Sequence, residues 1–285
     1  RDRSMTRFTR YRRLKLKKRP VNILLTFTTC KRLDLFHKTV ASMINMWQDI
    51  NQIDYWFCVD DNSSTEDRSV MRQKYDWINF YFKKPEEKGH LKSMNIIWDK
   101  IAEMKPKYWI HMEDDFLFFE EDKYVQKAVN ALKELSHLNI KQVLFNRCYG
   151  ETIADYSIRG IKKATSDIVI HDYDPNTTYG YQNAHYWPHY SFRPSLVDAS
   201  IILELGNFDT KVQFFEMEYA KKFTNAGYQS AFFNRITNQH IGRLTKDRNG
   251  PNNMNAYLLN DESQFVSQNF ELKNLDAFVL NLPHR

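Results

Sequence analysis

Between residues 21 and 145 the chain alternates short, unbroken apolar runs with longer segments of helical spacing, and no other feature restricts the fold as much. The runs fall at 21–28 (VNILLTFT), 55–59 (YWFCV), 78–82 (INFYF), 108–112 (YWIHM) and 143–145 (VLF). A strand that is apolar at successive positions is covered on both faces, which calls for helices on both sides of a sheet. Residues 33–47, 65–74, 90–104 and 124–138 read as those helices; Leu35, Phe36, Val40, Met43 and Ile44 lie at the spacing of one helix face. The expected class is α/β: a doubly wound, mostly parallel sheet flanked by helices. Such sheets bind ligands beyond the carboxyl ends of their strands. Polar residues collect there, at 26–32, 60–64 and 113–115.

The second half is less regular. Residues 150–192 are rich in Tyr, Asn, His and Asp and read as loops and short antiparallel strands. Residues 194–205 and 213–224 read as helices, the second stopped by Gly227, and 230–233 as a strand. The expected division is a basic arm at 1–20 and one domain at 21–270. Within that domain, 21–147 would be the nucleotide-binding part and 148–270 the acceptor and catalytic part. Residues 271–285 would begin a possible following domain.

The net charge of +6 misleads as a property of the domain. Residues 1–19 hold ten Lys/Arg and one acid, leaving 31 basic and 34 acidic residues elsewhere. The arm could attract an anionic membrane or nucleic acid, or be a solvated leader. The slightly acidic remainder argues against specific nucleic-acid binding. No run of 18 apolar residues occurs, so no transmembrane segment is expected. Cys30, Cys58 and Cys148 are odd in number, widely spaced and set in apolar surroundings, which favours buried thiols and a reducing, cytoplasmic compartment.

Three polar clusters carry candidate chemistry. Glu113-Asp114-Asp115 follows an apolar strand; adjacent carboxylates there either form a solvated turn or gather round a hard divalent cation. Asp60-Asp61-Asn62-Ser63-Ser64 is either a helix-capping turn or a contact to a base or ribose. Thr26 to Arg32 offers hydroxyls and a guanidinium suited to a diphosphate. Lys88-Gly89-His90, with Lys92 and Asn95 beyond, opens a helix and could meet an anion. Neither GxxxxGK[ST] nor GxGxxG occurs, which excludes a P-loop and a dinucleotide fingerprint.

In combination these pieces resemble a glycosyltransferase of the GT-A fold, similar to family 2, from about Asn22 to His240. The resemblance implies a sugar transfer from a nucleotide-sugar donor, a UDP-sugar by preference, to a hydroxyl of a glycan or protein acceptor, with Mn2+ or Mg2+. It assigns donor contacts to Thr26, Arg32, Asp61, Lys92 and Asn95. Asp115 is implied as the direct metal ligand, with Glu113 and Asp114 nearer the sugar and ribose. His240 would complete the metal sphere or touch the diphosphate, and Arg243 and Lys246 could close over it. The family's catalytic carboxylate falls on Glu216, after a turn at 205–209 that resembles a Gly-Gly-Phe-Asp element. The family usually has Asp there, and Glu218 is nearby; residues two apart face differently on a helix, so one alone can serve, and Glu216 is the expectation. That assignment implies inversion. The aromatic segment 185–193 suits either an acceptor sugar or core packing. Residues 275–285 resemble the opening strand of family 25, the collagen-modifying type, which implies a second glycosyltransferase domain beyond. A non-catalytic nucleotide- or glycan-binding module is the other reading of the same residues.

Overall fold

The computed structural model describes residues 20–147, 161–176, 187–208 and 214–242. The basic arm, Cys148, Arg243, Lys246 and the C-terminal segment lie outside the described residues.

The first half is built as the apolar runs require. β1 (Ile23–Thr29), β2 (Tyr55–Asp60), β3 (Asn79–Phe82) and β4 (Tyr108–Glu113) run parallel in the order β3-β2-β1-β4. They are linked by α1 (Leu33–Met46), α2 (Thr65–Lys74) and α3 (His90–Met104). The sheet continues through β9 (Ser195–Asp198), β6 (Ile140–Leu144), β10 (Gln229–Phe233), β8 (Ile168–His171) and β7 (Ile161–Ala164) to nine strands. Only β9 and β8 run against the others.

Two apolar cores lie on opposite faces of the sheet. Alternate residues of β1 serve each: Leu25 and Phe27 pack with Phe36, Val40 and Met43 of α1, and Leu24 packs with Met94, Ile97 and Ile101 of α3. α4 (Tyr124–Glu134) joins the first core, and α5 (Ala199–Leu205) and α6 (Phe215–Asn225) the second. Burial on both faces is the physical reason that β1, β2 and β4 read as unbroken apolar runs.

Two elements differ from the sequence expectation. Residues 194–205 split into strand β9 and helix α5. Leu196 and Val197 fill the slot between β4 and β6, and Asp198 then caps the helix by accepting from Ser200 N at 3.1 Å. The helix at 124–138 ends at Glu134, followed by a single 3-10 turn (Ser136–Leu138) before Asn139 at φ 55°. The apolar residues after the acidic triplet form β5 (Phe116–Phe118), which pairs antiparallel with β11 (Asn238–His240) as a separate ribbon.

Candidate functional site

The carboxyl ends of β1, β2 and β4 converge, and the acidic triplet stands among them. Asp114 is buried, and burial pushes its carboxyl up, to about 6, against the opposing pull of Arg32. It is held by four groups. Thr29 Oγ1 donates to its Oδ2 at 2.9 Å, Cys30 N–H at 3.2 Å, and Arg32 Nη2 donates to Oδ1. Thr39 Oγ1 from α1 grips the Asp114 carbonyl at 2.7 Å. Asp114 is thus a structural hub whose carboxylate is already spent on its own chain.

Asp115 is placed differently. Its Oδ2 accepts from Arg32 Nη1 at 3.1 Å and lies 3.1 Å from His240 Nε2. Burial pushes this carboxyl up, but the charges and hydrogen bonds of His240 and Arg32 outweigh burial and hold it well below the usual carboxylate range. Its second oxygen, Oδ1, is buried and has no hydrogen-bond partner, as does Nδ1 of His240. The β5–β11 ribbon creates this meeting: Phe116 faces His240 in register, their rings stack at 4.8 Å, and Ile241 N–H donates to the Asp115 carbonyl at 2.8 Å. Gly242 follows in close approach. A Cβ there would stand 2.0 Å from Asp115 Oδ2, so only glycine fits.

These residues fit a hard divalent cation. A buried carboxylate oxygen without a partner costs free energy unless something positive meets it. Among the described residues no group of three or more His, Cys, Asp or Glu could hold a metal. One carboxylate and one imidazole are nonetheless enough for an ion that takes its other oxygens from phosphate and water.

Beside the Asp115–His240 pair lies a second group. Asp61, at the end of β2, accepts the Gly89 N–H at 2.9 Å and pairs with Lys83 Nζ at 3.2 Å. Lys83 is fully buried and donates to the Gly89 carbonyl at 2.8 Å and Ser93 Oγ at 2.9 Å. Gly89 adopts φ 116° to make this turn, and His90 follows at the start of α3. His90 Nε2 is 3.8 Å from Glu113 Oε1, and its ring meets the edges of Phe192 and Phe215. Burial and the nearby Lys83 ammonium lower its pKa to about 4, so the imidazole is neutral. Burial, with Asp115 and Glu216 close by, pushes the Glu113 carboxyl well up; Arg193 opposes this and lies over the Phe116 ring at 5.8 Å.

Glu216 sits in the first turn of α6 and faces inward: its Oε1 accepts from Phe192 N–H at 3.0 Å and from Ser191 Oγ at 3.4 Å. Glu218 faces outward and pairs with Lys221 at 2.9 Å.

The structure therefore gathers Arg32, Asp114, Asp115 and His240 into one cluster, with Glu113 and Glu216 beside it. It places three of the expected donor contacts elsewhere. Thr26 is wholly buried in mid-strand, accepting from Trp109 Nε1 at 2.8 Å and bonded to His111 Nδ1 at 2.9 Å. Thr29 is the hydroxyl at the strand end. Lys92 is exposed and donates to the Glu86 carbonyl at 2.8 Å. Asn95 spends its amide on the backbone of Phe208, donating at 3.2 Å and accepting at 2.9 Å, and so fixes the 206–208 turn. His90 lies in the helix-start cluster and Arg193 in the aromatic segment that the sequence offers, but Lys83 is a site residue that the sequence reading does not include. For Lys83 the missing signal was available: a lysine directly after an apolar strand, one strand away from an aspartate pair.

At the level of sequence no family model and no curated protein matches the chain. Solved structures do match in fold. A mannosyltransferase from Pyrobaculum calidifontis, in complex with GDP-Man and Mn2+, superposes with a TM-score of 0.50 at 13% identity, over 86% of this chain and 66% of that one. GalNAc-T7 with UDP, GalNAc and Mn2+ gives 0.54 at 11% identity, over 80% and 45%. TarS 1-349 of S. aureus in complex with UDP-GlcNAc gives 0.51 at 10% identity, over 76% and 58%. The chain spans from under half to about two thirds of these proteins' lengths. Its fold is that of the GT-A-type glycosyltransferases: a mixed α/β domain around a large, mostly parallel sheet.

Proposed function

We propose that the protein is a metal-dependent glycosyltransferase that moves a sugar from a nucleotide-sugar donor, of the UDP-sugar class, to a hydroxyl of a glycan or protein acceptor with inversion. One observation carries the reading: the partnerless Oδ1 of buried Asp115, with His240 beside it at the ends of the central strands. Mn2+ accompanies two of the similar structures, and GDP-Man, UDP with GalNAc, and UDP-GlcNAc accompany the three, which supports a nucleotide-sugar donor. The similarity to family 2 and the possible second domain after residue 270 belong to the same proposal.

In this reading Asp115 and His240 hold Mn2+ or Mg2+, which when bound supplies positive charge to the departing diphosphate. Arg32 keeps Asp114 and Asp115 in place and adds a fixed positive charge near the phosphates. Asp61 shapes the Gly89 turn against which the base lies. Glu113, beside His90, can meet a sugar hydroxyl. Glu216 takes the proton of the acceptor hydroxyl as that oxygen attacks the anomeric carbon. Water is kept out on this side by His90, Phe192 and Phe215.

Donor turnover by two variants tests the assignment. Glu216→Gln is expected to keep Mn2+-dependent UDP binding and lose at least a hundredfold in kcat, a general base contributing about 10²–10⁴. Asp115→Ala is expected to lose metal-dependent binding as well. Full turnover by Glu216→Gln would remove it as the base, and wild-type binding without turnover would assign the chain to the non-catalytic binding modules.

A further inference from the structure

One peptide group joins a core glutamine to Glu216. Gln142, in β6, is fully buried, and both ends of its amide are engaged. Nε2 donates to the Ser191 carbonyl at 2.7 Å and to Ser195 Oγ at 2.9 Å. Oε1 accepts from Ser191 N–H at 3.1 Å and from Ser230 Oγ at 3.4 Å. These partners fix which way the amide points, because the Ser191 carbonyl can only accept and its N–H can only donate. The peptide whose carbonyl Gln142 holds ends in the N–H of Phe192, and that N–H donates to Glu216 Oε1 at 3.0 Å. In a trans peptide the carbonyl and the N–H point opposite ways, and none of the described peptides is cis. Gln142 therefore sits at one end of a dipole aimed at Glu216. Hydrogen bonds in such a chain polarise one another.

We infer that Gln142 is a positioning residue for Glu216: acting through the 191–192 peptide, it sets the orientation of the Glu216 carboxylate before substrate arrives. This rests on the reading of Glu216 as the base. The side chain of Glu216 alone has rotatable bonds to spare, and the helix on which it stands fixes only its Cα. The Phe192 N–H selects one rotamer, and Gln142 keeps that N–H in place from the sheet behind. The β6 strand, which carries no residue of the cation cluster, is thereby connected to the chemistry.

Two variants and one spectroscopic measurement test this. Gln142→Met keeps the volume and removes both the donor to the Ser191 carbonyl and the acceptor of the Ser191 N–H. Ser195→Ala removes a different partner of the same Nε2 and leaves the peptide gripped. With the full chain and a UDP-sugar, Gln142→Met is expected to lower kcat about tenfold through a misplaced Phe192 N–H, with the donor KM changed less than about twofold. Ser195→Ala is expected to keep kcat near wild type. Equal losses in both variants would mark a merely structural role and overturn the inference, as would wild-type kcat in Gln142→Met while Glu216→Gln is inactive. Should Gln142→Met not fold, the amide signal of Phe192 in the wild type and in Gln142→Asn, whose shorter side chain withdraws the amide from the Ser191 carbonyl, decides. It is expected far downfield in the wild type, and both Gln142→Asn and Glu216→Gln are expected to bring it back toward the ordinary amide range; a signal unmoved by Gln142→Asn overturns the inference. A Phe192 signal unmoved by Glu216→Gln overturns the inference without recourse to activity. An active Glu216→Gln would instead remove the base reading itself.

Discussion

At the scale of single residues, the three adjacent acids have three different environments. Asp114 is consumed by Thr29, Cys30 and Arg32. Asp115 shares Arg32 and His240 and keeps one oxygen without a partner. Glu113 points toward His90 and the Glu216 side. Gly242 is the residue on which this arrangement is most exposed to change. Gly242→Ala would bring a methyl to within 2.0 Å of Asp115 Oδ2. We expect it to lower the melting temperature, because the position is buried against Asp115, and to abolish stabilisation by Mn2+ with UDP in a thermal shift; retained stabilisation would show that Asp115 can move without loss. Cys30 offers a prediction about reactivity. Burial, with Asp61 and Asp114 nearby, pushes its thiol up to about 12, so at pH 8 it stays protonated and a poor nucleophile. A thiol reagent should label Cys30 and the buried Cys58 slowly in the native protein and rapidly in denaturant, as read by mass spectrometry.

At the scale of elements, the short ribbon of β5 and β11 matters more than its length suggests. It carries His240 across from the far end of the chain to the acids after β4. Asn146 ties it down: its Nδ2 donates to the Asn238 carbonyl at 3.0 Å, and its Oδ1 accepts from Thr237 N–H at 2.8 Å. Asn146→Ala is expected to weaken Mn2+-dependent UDP binding about tenfold or more, the scale at which outer groups act on a metal site, with turnover at saturating Mn2+ largely restored. An unchanged Mn2+ requirement would show that the ribbon holds without it. This element also marks the limit of what the sequence could tell. The apolar runs of β1, β2 and β4 were legible because those strands are buried on both faces, and the helices because each has an apolar face toward the sheet; β3, at the sheet edge, is only half-buried and was legible from its aromatic residues. Asp61, Arg32 and the acidic triplet were legible as strand-end polar residues. The ribbon was not, because three-residue strands have too few positions to show a period, and their pairing partner lies more than a hundred residues away. Residues 194–205 were misread for a related reason: Ser195–Asp198 is a strand only because a slot between β4 and β6 exists to receive it. Thr26 was placed one turn of the pleat too early, since composition cannot tell mid-strand from strand end.

At the scale of the whole molecule, the sheet divides the labour. Its parallel half, β3-β2-β1-β4, ends in Asp61, Arg32 and the acids, and the half beyond β9 supports Gln142, the 191–193 segment and the ribbon. The helix that carries Glu216 packs on the α3 face, in the core that also holds Phe192 and Phe208. The proposed donor and acceptor sides therefore share one core, and a ligand bound between them should stabilise the entire domain. The most direct measurement is the melting temperature of the wild-type protein with a panel of UDP- and GDP-sugars, each with and without Mn2+, beside Asp115→Ala. The account predicts a rise with at least one UDP-sugar that needs Mn2+ and is lost in Asp115→Ala; at a ligand concentration of 100 Kd, linkage puts the gain at about 2.7 kcal/mol. No Mn2+-dependent rise with any nucleotide sugar, or an equal rise in Asp115→Ala, would contradict it.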